Sequence, residues 1–143
     1  MAEALVWHLI RDNNSFLVKR GRTSRSGEVQ FSKEPGNLMS VNTFKYSGIA
    51  NNGSIDIRPD GHHEVKITKK TGKNLNKPVK STESKNITKF KDGASHLAAL
   101  VKEGYRGDLS AAAKLKFSKL YKDRRIKMKI VKGAKEFTKR GKK

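Results

Sequence analysis

The sequence has 143 residues, 33 of them lysine or arginine against 13 acids, for a formal charge of +20, and it contains no cysteine. One domain fits this length, and the charge far exceeds what solubility needs and repels itself in a free compact chain, so a polyanionic partner is implied. Disulfides and thiolate zinc sites are excluded. Nucleic acid ranks first as that partner, an anionic membrane surface second and an acidic protein third. No signal peptide is expected, because Met1-Ala2-Glu3 puts no basic stretch before an apolar run. The apolar run at 4–10 is interrupted by His8 and ended by Arg11, too short to span a bilayer.

In chain order, residues 3–10 read as a short helix, with Leu5/Leu9 and Val6/Ile10 spaced by four and Trp7 widening the apolar surface. A buried strand would fit the same run, and a helix this short needs to dock on the rest of the domain. Asp12-Asn13-Asn14 forms a turn, and residues 15–19 (SFLVK) read as a strand. The glycine-containing polar segment 21–28 is expected to be a loop ordered by a partner. A short strand follows at Val29-Gln30-Phe31, then a turn at Pro35-Gly36 and a strand at 42–46 (NTFKY).

The clearest local pattern is a hairpin. Ile55 and Ile57 alternate with Asp56 and Arg58, Pro59-Asp60-Gly61 turns the chain, and Val65 and Ile67 alternate with Lys66 and Thr68. The antiparallel sheet is expected to hold three to five strands. Over 71–91 the pattern fails, and lysines stand among Asn, Thr, Ser, Gly and Pro with Glu83 as the single acid. An extended connector that orders along its partner accounts for that composition.

Asp92 is placed to cap a helix at 93–103, with Leu97, Leu100 and Val101 on one side and Gly104 to end it. Asp108 is placed to cap a second helix, whose face is Leu109, Ala112, Ala113, Phe117, Leu120 and Tyr121. Ile126, Met128 and Ile130 alternate with Lys127 and Lys129, a weak strand signal, and a tail without a core is expected beyond Lys132. Trp7 and Phe44 are expected in the core. The architecture is α+β, a small antiparallel sheet packed with helices. Residues 1–125 are expected to form one domain against a nucleic acid, RNA by the resemblance given below, that includes the connector at 71–91, and 126–143 a basic C-terminal extension.

Little here can do catalysis. There is no cysteine nucleophile, glycine-rich phosphate loop or H-E-x-x-H. His62 and His63 follow a hairpin turn, His8 and His96 sit in helices, and their spacing supports no metal site. Asp12, Asp60, Asp92 and Asp108 all have turn or capping roles, and Arg106-Gly107-Asp108 reads as a helix junction rather than an adhesion signal. No enzyme activity, cofactor or metal is expected.

The basic residues make the interface. The candidates are Lys19, Arg20, Arg22, Arg25 and Lys45 in the first part of the chain, then Lys69, Lys70, Lys73, Lys77, Lys80, Lys85, Lys89 and Lys91. Arg106, Lys114, Lys122, Arg124, Arg125, Lys127, Lys129, Lys132, Lys135, Lys139, Arg140, Lys142 and Lys143 complete the set. Residues 114–143 alone hold fourteen cations and two acids, Asp123 and Glu136. Such residues contact phosphates, which fix position and carry little base-sequence information. Phe90 and Phe137 lie amid this charge, where they either stack on unpaired bases or anchor against the domain. No RNP-like aromatic pattern is present.

Four stretches resemble a known family. They are Leu5-Val6-Trp7 leading into Asn14-Ser15-Phe16-Leu17-Val18-Lys19-Arg20, and Phe31-Ser32-Lys33-Glu34-Pro35-Gly36-Asn37-Leu38 with Asn42-Thr43-Phe44-Lys45-Tyr46-Ser47-Gly48. After them come Val65-Lys66-Ile67-Thr68-Lys69-Lys70, and Tyr105-Arg106-Gly107-Asp108-Leu109 with Ala111-Ala112-Ala113. In this order they are similar to the eukaryotic large-subunit ribosomal protein twenty-eight family, which is unrelated to the bacterial protein of the same number. The loop at 21–28 is longer than is usual in that family, and Gly107 stands where proline is frequent.

The resemblance implies a structural constituent of the large ribosomal subunit, bound to ribosomal RNA and neighbouring large-subunit proteins. It also implies no membrane, no homo-oligomer, and a place in the cytoplasm with passage through the nucleolus during assembly. The domain is shared by a nucleolar assembly factor, so a dissociable assembly factor or nuclear RNA-binding module is the alternative. That relative is richer in cysteine and has a long acidic region, neither of which appears in this sequence.

Overall fold

Apolar residues alternate at 55–57 and 65–67, and recur at helical spacing through Leu97, Leu100, Leu109, Ala113 and Phe117. A computed structural model shows how these patterns assemble; it describes residues 3–18, 25, 29–61, 64–74, 77 and 80–140, with 133–140 as backbone alone. The elements run α1 (Glu3–Ile10), β1 (Leu17–Val18), β2 (Phe31–Ser32), a 3-10 turn (Phe44–Tyr46), β3 (Ile55–Asp60) and β4 (Glu64–Lys70). There follow β5 (Thr82–Ile87), α2 (Phe90–Lys102), a second 3-10 turn (Gly107–Leu109) and α3 (Ser110–Arg140). The class is α+β.

The main sheet has the order β3-β4-β5, all antiparallel. Its register sets Ile57 opposite Ile67 and Val65 opposite Ile87, so the aliphatic side chains share one face. That face, with Leu38, packs against Leu97 and Leu100 of α2 and Leu109, Ala113 and Phe117 of α3. The hairpin stands where the pattern put it, although Pro59 and Asp60 are still strand and the connection begins at Gly61, whose φ is +57°. Pro59 fits because β3 is an edge strand and can lack a donor. His62 and His63 lie outside the described residues.

Residues 82–87 correct the expectation of an extended connector over 71–91. They form β5, paired along its whole length with β4. Only Ile87 reaches the core, and the other five side chains are exposed, which is why no alternation of apolar residues announced an edge strand. Before it, the loop is pinched at its neck, where the Thr71 N–H and hydroxyl both donate to the Ser81 carbonyl.

Four more expectations are corrected. Residues 42–46 are not a strand; Tyr46 and Ser47 N–H groups fold back on Thr43 O, giving a 3-10 turn. α2 begins at Phe90 rather than after Asp92, which sits in its first turn. Ile126, Met128 and Ile130 are helical, because α3 continues unbroken from Ser110 to Arg140. Trp7 and Phe44 lie outside the core and pack on each other, ring centres 6.0 Å apart, so they moor α1 rather than fill the interior. The strand at 15–19 narrows to Leu17–Val18. The loop at 21–28 lies outside the described residues except for Arg25, which is exposed.

α2 stops as Gly104 dictates. At φ +70° its N–H donates to Val101 O and the next N–H, of Tyr105, to Leu100 O, the paired bonds of a Schellman cap. The Tyr105 hydroxyl then meets Ser54 N–H at 3.0 Å and lies within reach of the carbonyls of Ser54 and Lys70, stitching the helix junction to the start of β3 and the end of β4. Burial pushes the Tyr105 phenol above its ordinary value.

Residues 32–54 build a second interior that is polar. Glu34 is 2% exposed, and its carboxyl oxygens accept from Asn37 Nδ2 (2.9 Å) and the Ser47 hydroxyl (3.2 Å). Asn51 Nδ2 donates to the carbonyls of Phe44 and Ser47, and Arg58 caps the Glu34 carbonyl. Such pairing offsets most of the cost of burying polar groups, although Asn37 Oδ1 and Thr43 Oγ1 are buried without a hydrogen-bond partner among the described residues. Much of the second stretch that resembles the family is therefore a hydrogen-bonded knot.

Candidate nucleic-acid interface

A lysine or arginine can meet a phosphate only if its own fold does not already use its charge. Several candidates are so used. Lys70, at the end of β4, donates from Nζ to Gly48 O (2.9 Å) and Asn51 O (2.8 Å). Desolvation lowers its pKa, and the charges of Glu3 and Glu34 oppose that shift. Arg106 is in the left-handed region, and its guanidinium holds Asp108 and the carbonyls of Gly53 and Lys45. Asp108, expected as a helix cap, is thus an arginine partner. Arg124 donates to Thr88 O (2.7 Å) and lies over the Tyr121 ring, while Lys69 pairs across strands with Glu83 at 3.2 Å.

The rest point outward. Lys73, Lys77 and Lys80 surround the β4–β5 loop, Lys85 is on β5, and Lys89 and Lys91 flank the start of α2, all exposed and without an ion-pair partner among the described residues. The lysines of the tract from 73 to 91 are thus exposed and without an ion-pair partner among the described residues, carried by a strand and a helix start as well as a loop. On α3, Lys122, Arg125 and Lys129 flank Ile126 along one stripe of the helix, and Lys114, Lys127 and Lys132 are exposed too. Lys45 is exposed beside the Tyr46 ring. Lys19, Arg20, Arg22, Lys142 and Lys143 lie outside the described residues, as do the side chains of Lys135, Lys139 and Arg140.

Of the two aromatics singled out amid the charge, Phe90 anchors against the domain while remaining 44% exposed. Its ring stacks on Phe117 (5.5 Å) and tilts against Tyr121 (5.2 Å), joining α2 to α3. Phe137 belongs to the stretch described as backbone alone. Among the described residues no cluster of histidines and acids is placed to hold a metal ion, and no helix is long and apolar enough to cross a membrane.

Lys116 carries a role that the charge pattern did not single out. Its Nζ reaches Leu38 O and, at 3.4 Å, the buried carboxylate of Asp56, which Arg58 also holds. Burial lowers the Lys116 pKa and Asp56 opposes the shift. The signal was present: Lys116 lies between Ala113 and Phe117 on the buried stripe of α3, where a free phosphate contact has no room.

Residues 5–123 match the model of the Ribosomal L28e protein family. The chain is similar to the large ribosomal subunit protein eL28 of Schizosaccharomyces pombe, 33% identical over 127 residues, 86% of this chain and 92% of that protein. It is also similar to the proteins of that name from Caenorhabditis elegans, 38% identical over 89 residues (62% of this chain, 65% of that one), and Dictyostelium discoideum, 42% over 57 residues (40% and 39%).

Proposed function

Because the chain belongs to the Ribosomal L28e protein family, we propose that it is a structural constituent of the large ribosomal subunit that grips ribosomal RNA by its backbone. Proteins of this family are structural parts of the ribosome and not enzymes. The observation that carries the reading is the division of labour among cations. Lys70, Arg106, Lys116 and Arg124 are consumed in holding the domain together, whereas the lysines from Lys73 to Lys91 and the α3 stripe of Lys122, Arg125 and Lys129 are left free. Free cations on fixed elements neutralise phosphates and release counterions, which gives affinity without base selection.

On this reading residues 1–125 are the RNA-binding body and 126–143 a basic extension carried on the far half of α3. Neighbouring large-subunit proteins are further partners, and the protein passes through the nucleolus before it reaches cytoplasmic ribosomes. Sedimentation of cell extract tests the assignment. The chain should travel with large subunits in near-stoichiometric yield and stay through a moderate salt wash. Appearance in precursor particles alone, with little in translating ribosomes, would make it an assembly factor instead.

A further inference from the structure

The small β1–β2 sheet carries a surface that phosphate binding does not explain. Val18 is directly opposite Phe31, and Phe31 is bridged on its other side to Val41. One step along, the Lys33 N–H donates to Phe16 O, so Lys33 stands opposite Phe16. Side chains alternate between faces within β1 and β2, which sends Leu17 and the buried Ser32 one way and Val18 and Phe31 the other, while Phe16, in the turn that leads into β1, and Lys33, just past β2, are exposed beside them. Phe31 is 54% exposed and Phe16 38%. The bond from Lys33 N–H to Phe16 O continues the β1–β2 register by one step, so Phe16 and Phe31 are diagonal neighbours across it, a spacing of about 7–8 Å between Cα atoms.

We propose that Phe16 and Phe31 form a stacking platform for unpaired RNA bases, with Lys33 holding the phosphate between them. This rests on the RNA-binding reading and adds to it a place where bases, not only backbone, are touched. Two features select nucleic acid over an apolar protein as the occupant. Lys33 sits beside the aromatic face and has no acidic partner among the described residues. In sequence, the segment between the two strands holds four cations, Lys19, Arg20, Arg22 and Arg25, and one acid, Glu28. Exposed aromatics set among cations are the usual chemistry of unpaired-base recognition, because every base offers a π face.

The experiment uses the full chain, a short oligouridine strand and an RNA duplex of the same length, with affinities measured over a series of salt concentrations. The Phe16→Leu/Phe31→Leu variant keeps an apolar face and removes the rings. It should bind the unpaired strand about tenfold or more weaker, with duplex affinity and salt slope unchanged. Lys33→Gln should lower the slope for the unpaired strand by about 0.7, the share of one phosphate on a single strand. Phe31→Leu alone, at the more exposed ring, gives the same readout if the double variant folds poorly. Unpaired RNA bound equally by wild type and the leucine variants overturns the platform and leaves the face to a protein partner. Loss of salt-dependent binding to both RNA forms by the wild type would sink the phosphate reading as well, so the two failures are distinguishable.

Discussion

Gly93 owes its identity to a ring. A Cβ there would fall 2.1 Å from Cζ of Phe117 and within 2.8 Å of its Cε atoms, so α2 approaches α3 as closely as it does because one residue has no side chain. Gly93→Ala improves helix propensity by about 1 kcal/mol, but it forces Phe117 aside in a packed core, a cost of about 1–3 kcal/mol. The net expectation is a lower midpoint in denaturant unfolding. His96, also on α2, gives a pH-dependent test. Desolvation lowers its pKa below the ordinary 6.5, Lys85 and Lys69 lower it further, and Glu103 opposes them. On acidification the unfolded chain therefore takes up the proton first, so stability present above about pH 6.5 is lost as pH falls. His96→Gln should flatten the dependence of the unfolding midpoint between neutral pH and about pH 5, and a slope equal to wild type would reject the assignment.

Among the elements, α1 and α3 stand at opposite extremes of attachment. No residue of α1 is buried, Leu5 and Leu9 are 61% and 72% exposed, and the helix is held by the Trp7–Phe44 contact and by Glu3 accepting Asn52 N–H. Trp7→Ala should release α1 without unfolding the body, seen as fast amide exchange confined to 3–10 and a nearly unchanged midpoint. Phe117→Ala removes a ring from the centre of the core and should cost about 3–5 kcal/mol globally. The hairpin of β3 and β4 and the faces of α2 and α3 were legible in the sequence because each buries one side of a regular element. β5 was not, since an edge strand with one inward residue lacks the alternation that marks a strand. The full length of α3 was obscured for a related reason: beyond Tyr121 much of its surface meets solvent, as at Ile126 and Ile130, so no buried stripe imposed the helical period.

At the scale of the molecule, the candidate interface was legible as charge and illegible as geometry. Counting lysines predicts a polyanion, but nothing in the spacing of Lys70, Arg106 or Arg124 revealed that the carbonyls of Gly48, Gly53 and Thr88 would claim them. Long-range hydrogen bonds of this kind have no sequence period. The distinction is measurable. Replacing Lys73, Lys77, Lys89 and Lys91 by glutamine should weaken RNA binding and lower the salt slope by about 0.7–0.9 for each phosphate no longer neutralised, with the unfolding midpoint unchanged. An unaltered slope would remove these lysines from the interface. Arg106→Gln should do the reverse, lowering stability first.

The polar knot at residues 32–54 has a consequence for how the chain finds its fold. An aliphatic core accepts a strand that has slipped by two residues, since one greasy side chain can replace another. Glu34 accepts no such substitute: its two oxygens are matched only when Asn37 and Ser47 have both arrived, and a mis-set segment leaves a carboxyl in a dry interior. The knot thus acts as a proofreading step on chain closure. Wrong registers around it carry that penalty, so the body that bears the exposed lysines favours one arrangement over several.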